Sequence, residues 1–155
     1  MEYQLAAVAD YIFLVNGAKG GGYNPIVASG PNIWYGHYSR NDRRLQDGDL
    51  VLMDYAPDYK GYTSDIGRMF PANGRYSRWQ RELYGFVVEY HKALLKRIRA
   101  GVTAEEILEG AAEEMRRLVE KVSFSKPAYE KAARGMLTFK GFALDVGLAT
   151  CILMT

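Results

Sequence analysis

The spacing of apolar and polar residues divides the chain into an opening helix, a β-rich middle and a helical second half. Leu5, Val8, Ile12 and Val15 recur at helical spacing, with Phe13 and Leu14 widening the stripe, which predicts a helix over residues 2–15. No clear capping residue stands ahead of it. The run from Asn16 to Gly22, rich in glycine, ends it. This run neither follows a strand nor precedes a helix, and it lacks the Gly-Lys-Ser/Thr ending of a phosphate loop. It is read as a flexible connection between helix and strand. Pro25–Ser29 is read as a short strand and Gly30-Pro31-Asn32 as a turn. Ile33–Tyr38 is read as a second apolar strand, with His37 near its end. Arg40–Asp47 is a charged loop, and Asp47-Gly48 is a turn signal.

Asp49–Pro71 then reads as two strands joined by a turn. Leu50–Tyr55 is apolar apart from Asp54, and Tyr62–Phe70 is rich in β-forming residues. Pro57–Gly61 between them has turn chemistry. Aspartate is a poor strand residue, so Asp54 and Asp65 in facing strands need a reason. If Ala56 pairs with Gly61, Asp54 lies opposite Thr63 and diagonal to Asp65, roughly 7–8 Å away between backbones. Side chains two apart share a face, so both carboxylates would point the same way. They could then lean on one cation or a cation pair. Without a cation they would repel, and one would tend to keep its proton. Each could instead cap a turn or sit at a wet strand end.

The second half is helical. Ser77 with Gln80, and Thr103 with Glu106, form capping boxes. Behind the first, Trp79, Leu83, Phe86, Val87, Tyr90, Leu94 and Ile98 make one apolar face to about Arg99, and Gly101 stops the helix. Behind the second, Ile107, Ala111, Met115, Leu118 and Val122 continue to about Val122. Pro127 opens a shorter third helix that ends before Gly135. His91 falls off the apolar face and is read as a solvated surface residue. Residues 141–155 are apolar with one charge, Asp145, a stretch that needs pairing or cover.

Composition narrows the function classes. The chain has 155 residues, 48% hydrophobic and 25% charged, which suits one globular domain. A net charge of +2 with no basic stripe argues against nucleic acid. No apolar run reaches membrane-spanning length, and Met1-Glu2-Tyr3 lacks the basic start of a signal peptide. A single cysteine, Cys151, excludes an internal disulfide and suits a reducing compartment. A cytoplasmic protein without membrane association is the expectation. The twelve tyrosines fit a half-polar cleft or ordinary strand packing equally well.

An ordered series of motifs resembles a known family. The series is Ile26-Val-Ala-Ser-Gly30, Tyr35-Gly-His37-Tyr38, Leu45-x-x-Gly-Asp-Leu-Val-Leu-Met-Asp54 and Gly61-Tyr-Thr-Ser-Asp65-Ile-x-Arg68. It is similar to the pita-bread metallopeptidases, which include Xaa-Pro aminopeptidases, prolidases and methionine aminopeptidases. The aminopeptidase P type is the nearest, over about residues 2–141. The resemblance implies an α+β fold, with an antiparallel sheet packed on two long helices. It implies that Asp54 and Asp65 descend from ligands of a two-metal centre of Mn, Co or Zn. It places His37 at the substrate as a non-ligand, with Tyr35 and Tyr62 as further substrate contacts.

The chain also departs from the family pattern. The remaining family ligands, one histidine and two glutamates, come from a second pseudo-symmetric half. Where the family has a stretch like G-H-x-x-H-x-V-G-x-x-x-H-D, residues 141–155 carry no histidine. Asp145 lies near the ligand histidine's place, allowing one deletion, and Cys151 lies where a second histidine would be. The expectation is a single truncated domain over 1–155, family-like to 141 and divergent after it. Homodimerisation, or a higher homo-oligomer, would complete it. Asp54 and Asp65 of each chain would converge on a composite site, or the C-terminal segments would swap. The expected activity is metal-dependent hydrolysis of a short peptide or other small molecule. Peptidase chemistry would be weakened by the missing glutamate base, and ester or phosphotriester hydrolysis would be less affected. The alternatives are a non-catalytic oligomeric module of the same fold, and a Cys151 nucleophile with His37 as base.

Overall fold

The computed structural model describes residues 1–138. They fall into two compact units, Met1–Arg75 and a second beginning at Tyr76. The first contains helix α1 (Glu2–Val15) and six short strands: β1 (Gly20–Gly21), β2 (Ile26–Ser29), β3 (Leu50–Asp54), β4 (Pro57–Tyr59), β5 (Tyr62–Thr63) and β6 (Gly67–Pro71). The second contains α2 (Arg78–Leu95), α3 (Ala104–Val119) and α4 (Pro127–Met136). The composition is α+β and the strands pair antiparallel in the order β2-β3-β6 and β1-β4-β5. No helix among the described residues is long and apolar enough to cross a membrane.

The sheet β2-β3-β6 carries the core of the first unit. All four residues of β2 are buried. Val27 and Val51 are fully buried and meet Ala6 of α1, with Leu5, Leu45, Met53 and Phe70 around them. Helix α1 packs on this sheet, and within the second unit α2 and α3 pack on each other. The apolar stripe expected to bury α1 does not do so. Val8, Ile12 and Val15 are exposed, while Glu2 and Ala6 are buried. At 3.6 residues per turn, Val8 stands about 200° round the helix from Ala6. The small side chain of Ala6 lets the helix sit close on the sheet, and Glu2 supplies a polar anchor.

That anchor satisfies one side of the unit. Glu2 Oε1 accepts from the backbone N–H and the hydroxyl of Ser29, both at 2.7 Å, and from Asn32 Nδ2 at 3.2 Å. Glu2 Oε2 accepts from the Tyr38 hydroxyl at 2.8 Å and the Arg43 N–H at 3.0 Å. Burial opposes ionisation of Glu2. Hydrogen bonds from Ser29, the Arg43 backbone and Tyr38 outweigh it, and the carboxyl is held below its ordinary range. The same contacts explain why Ile33–Tyr38 is not a strand. Gly30 has φ +53° and Pro31 lies in the first turn, so Gly30–Trp34 forms a 3-10 helix that brings Asn32 to Glu2. Trp34 is left exposed, and Tyr38 turns inward.

The hairpin register differs from the expected one. Tyr59 pairs with Tyr62 and Asp58 with Thr63, so the turn is Lys60-Gly61 rather than Pro57–Gly61. Both turn residues have positive φ, 56° and 82°, the geometry that matches strand twist in a two-residue hairpin loop. Asp58 Oδ1 accepts from the Gly61 N–H at 2.9 Å and steadies the turn. The same register continues through β3 and β6, where Asp54 faces Gly67. The strand expected over Tyr62–Phe70 is broken at 64–66 into β5 and β6.

In the second unit both capping boxes form as the sequence predicts. Tyr90, Ala93, Ala111, Met115 and Val119 are buried. The helices α2 and α3 end earlier than expected, and Ile98 and Val122 lie beyond them, exposed. Helix α4 continues through Gly135 to Met136. His91 is half-buried rather than solvated, with its Nδ1 out of contact with solvent.

Glu2→Ala would strand the donors of Ser29, Tyr38 and Arg43, so a loss of about 3 kcal/mol in urea unfolding is expected. A loss under ~1 kcal/mol would show the cluster to be incidental. Because the Glu2 carboxyl is lowered in the folded state, its contribution is present above the ordinary carboxylate range. It is lost as pH falls through the lowered value.

Candidate metal centre

Asp54 closes β3 and is buried. Asp65 lies in the break ahead of β6, two residues before Gly67, the partner of Asp54. The Tyr55 N–H still donates to the Ile66 carbonyl at 3.2 Å, so the pairing carries through the break. Alternation by two then turns both carboxylates to one side. The observed register is offset by an even number of residues from the predicted one, which preserves that face.

The Tyr23 hydroxyl joins the two. It donates to Asp54 Oδ1 at 2.6 Å and lies 3.4 Å from Asp65 Oδ1. Asp65 is exposed, but partial desolvation raises its carboxyl above its ordinary range, and the charge of and hydrogen bond with Asp54 add to this, while the Tyr23 contact works against it. The Tyr23 hydroxyl is itself pushed well up, by burial first and then by its bond to Asp54 and that carboxylate's charge. The site is thus two carboxylates close enough to repel, with one hydroxyl that donates to Asp54 and lies near Asp65.

Sequence reading missed Tyr23. It stands between the glycine run and β2, outside any periodic pattern. Its support is also distant in sequence. The Tyr23 ring meets the Tyr55 ring edge-on, with centroids 6.1 Å apart at 76°. The Tyr55 hydroxyl donates to Asp10 Oδ1 of α1 at 2.6 Å. Burial first, then the Asp10 bond, push that hydroxyl up to about 12. The glycine run is not a flexible connection. Gly20 and Gly21 form β1 against β4, and a Cβ at Gly21 would fall 2.2 Å from the Tyr55 ring. Real Cβ atoms do not approach that closely, so Gly21 is glycine for close packing.

The other predicted residues are not drawn into this cluster. His37 is exposed in a turn with φ 52°, and no hydrogen bond or ion pair joins it to another described residue. Tyr35 and Tyr62 are 66% and 82% exposed. Tyr35 lines a shallow polar depression with Asn32, Tyr38 and Arg43, residues of the Glu2 network. Asp145 and Cys151 lie outside the described residues. Among the described residues, no group of three or more His, Cys, Asp or Glu assembles to hold a metal. The donors present, two carboxylates, fit a hard divalent cation that keeps much of its water.

The chain belongs to metallopeptidase family M24, whose family model matches residues 1–145. It is 42% identical over 106 residues to the Xaa-Pro aminopeptidase of Escherichia coli, a match covering 68% of this chain and 24% of that protein. It is 41% identical over 103 residues to the mitochondrial intermediate cleaving peptidase 55 of Arabidopsis thaliana, covering 66% of this chain and 21% of that one. Among solved structures, it is similar to zinc-substituted E. coli aminopeptidase P in complex with product. There the TM-score is 0.71 at 36% identity, covering 84% of this chain and 30% of that chain. Proline aminopeptidase P II from Yersinia pestis gives a TM-score of 0.71 at 35% identity, covering 85% and 30%. The fold is that of the pita-bread aminopeptidases, in part. The chain spans about a quarter of the length of the curated relatives it matches.

In metal-free protein the raised Asp65 carboxyl holds its proton more tightly folded than unfolded. Its ionisation beside Asp54 therefore withdraws stability as pH rises from the ordinary carboxylate range through the raised value. In EDTA, Asp65→Asn is expected to raise Tm at neutral pH and to change it little at a pH below the carboxylate range. An equal shift at both would show that the charge pair is not the cause.

Proposed function

We propose that this chain carries the aspartate half of a divalent-metal hydrolase centre, with Asp54 and Asp65 as the ligands. The observation that carries this reading is the convergence of the two carboxylates on the Tyr23 hydroxyl. Membership of a metallopeptidase family supports it. The substrate class named in the relatives, Xaa-Pro peptides, is the ancestral one. A Mn, Co or Zn ion, or two, would supply an activated water and polarise the scissile group. Asp54 and Asp65 hold the cation, and Tyr23 sits behind them. His37, exposed and without a competing partner among the described residues, hydrogen-bonds the scissile group, and the exposed rings of Tyr35 and Tyr62 contact the substrate.

Two carboxylates give weak binding. Further ligands are proposed to come from a second copy of this chain. Twofold symmetry is the commonest for soluble oligomers and would bring two aspartate pairs together. Ester and phosphotriester substrates with good leaving groups ask less of a general acid, and suit this set better than peptides do.

Titration with Mn²⁺ is expected to show a Kd on the order of 10⁻⁴–10⁻³ M, as for sites with few ligand charges. Asp54→Asn or Asp65→Asn should abolish binding, and EDTA should abolish hydrolysis of a nitrophenyl ester. Wild-type chain that binds no Mn²⁺, Co²⁺ or Zn²⁺ would end this reading. The alternative is a non-catalytic module of the same fold. Metal binding with no turnover of Xaa-Pro peptides, esters or phosphotriesters would select that alternative. Light scattering at micromolar concentration should give a dimer mass, and a strictly monomeric mass would remove the second copy from the proposal.

A further inference from the structure

We infer that Tyr23 is a positioning residue for the metal ligand Asp54, its hydroxyl setting which lone pairs of that carboxylate face the cation. This rests on the reading of Asp54 and Asp65 as ligands.

An ionised carboxylate offers about four lone-pair directions on two oxygens. The Tyr23 hydroxyl occupies one of them on Asp54 Oδ1, at 2.6 Å. It has one proton to give, so the 3.4 Å contact to Asp65 Oδ1 is the longer arm. Neither strand alone could impose this orientation. Asp54 is the last residue of β3, and Asp65 lies in a break between strands. The hydroxyl bond at 2.6 Å fixes the Asp54 carboxylate against turning away from its charged neighbour.

Tyr23 can do this because it is held from elsewhere. Its ring lies edge-on to Tyr55. The Tyr55 hydroxyl is tied to Asp10 of α1, and its ring also meets Phe13 of the same helix, with centroids 5.2 Å apart. The absence of a Cβ at Gly21 makes room for that ring. A continuous line of contacts thus runs from α1 through Tyr55 to Tyr23 and the two carboxylates. Groups that orient metal ligands from behind are commonly worth about 10–100-fold in metal affinity.

The test is Tyr23→Phe in the full chain, which keeps the ring and removes the hydroxyl. Mn²⁺ affinity is read by calorimetry, the Mn²⁺ environment by EPR line shape, and the fold by circular dichroism and Tm. The expected result is a Kd weakened about 10–100-fold with unchanged stoichiometry, an altered EPR line shape and a retained fold. A Kd within about twofold of wild type overturns the inference, and so does a tighter one, which would mean that the hydroxyl competes with the cation. Should Tyr23→Phe not fold, Tyr55→Phe decides. It keeps the ring but cuts the tie to Asp10, and should weaken Mn²⁺ binding several-fold, whereas an unchanged Kd overturns the inference. Wild-type chain that binds no Mn²⁺ overturns both this inference and the metal reading. Binding that Asp54→Asn abolishes and Tyr23→Phe leaves intact overturns this inference alone.

Discussion

Everything proposed for the site depends on the antiparallel register that sets Asp54 opposite Gly67. That register puts Asp65 two positions from the partner of Asp54, on the same face. A slip of one residue would send Asp65 to the opposite face and dissolve the pair. The Lys60-Gly61 turn holds the register at one end through two positive φ angles, which a β-branched residue would resist. The β3–β6 pairing holds it at the other, where Val51 lies buried opposite Phe70. Turn chemistry and core packing thus agree on one alignment, and the repulsion between the carboxylates is imposed by that agreement.

The second support is α1, which works through polar groups more than through its apolar stripe. Glu2 at its start gathers donors from Ser29, Asn32, Tyr38 and Arg43, and fixes the segment that leads into the hairpin. Asp10, two turns on, holds Tyr55. These two carboxylates lie eight residues apart, close to one helix face at 3.6 residues per turn. A helix tied down at two points offers a fixed wall behind Tyr23, and Tyr23 in turn touches the metal candidates.

The Asp54–Asp65 pair was legible because strand alternation is local, and aspartate in a β-rich run stands out against its neighbours. Capping boxes were legible for the same reason, each being contained within four residues. The resemblance carried the family and the fold, which the comparisons bear out. Tyr23 was not legible. Its contacts reach 31 and 42 residues along the chain, and no periodicity marks it. Glu2 was hidden in the same way, since a buried carboxylate looks like any first-turn acid until its donors are seen. The apolar stripe of α1 misled because spacing shows which residues share a face, and not whether that face meets a partner. The strand expected over Ile33–Tyr38 failed to Gly30 and Pro31, whose backbone preferences overrode an apolar run.

The proposed centre requires the two carboxylates to turn toward one cation. Anomalous diffraction at the manganese edge, from crystals grown with Mn²⁺, tests it most directly. A peak is expected within coordination distance of both the Asp54 and the Asp65 carboxylates, with the Tyr23 hydroxyl still bonded to Asp54. A peak on one aspartate alone, or no peak between them at saturating Mn²⁺, would contradict it.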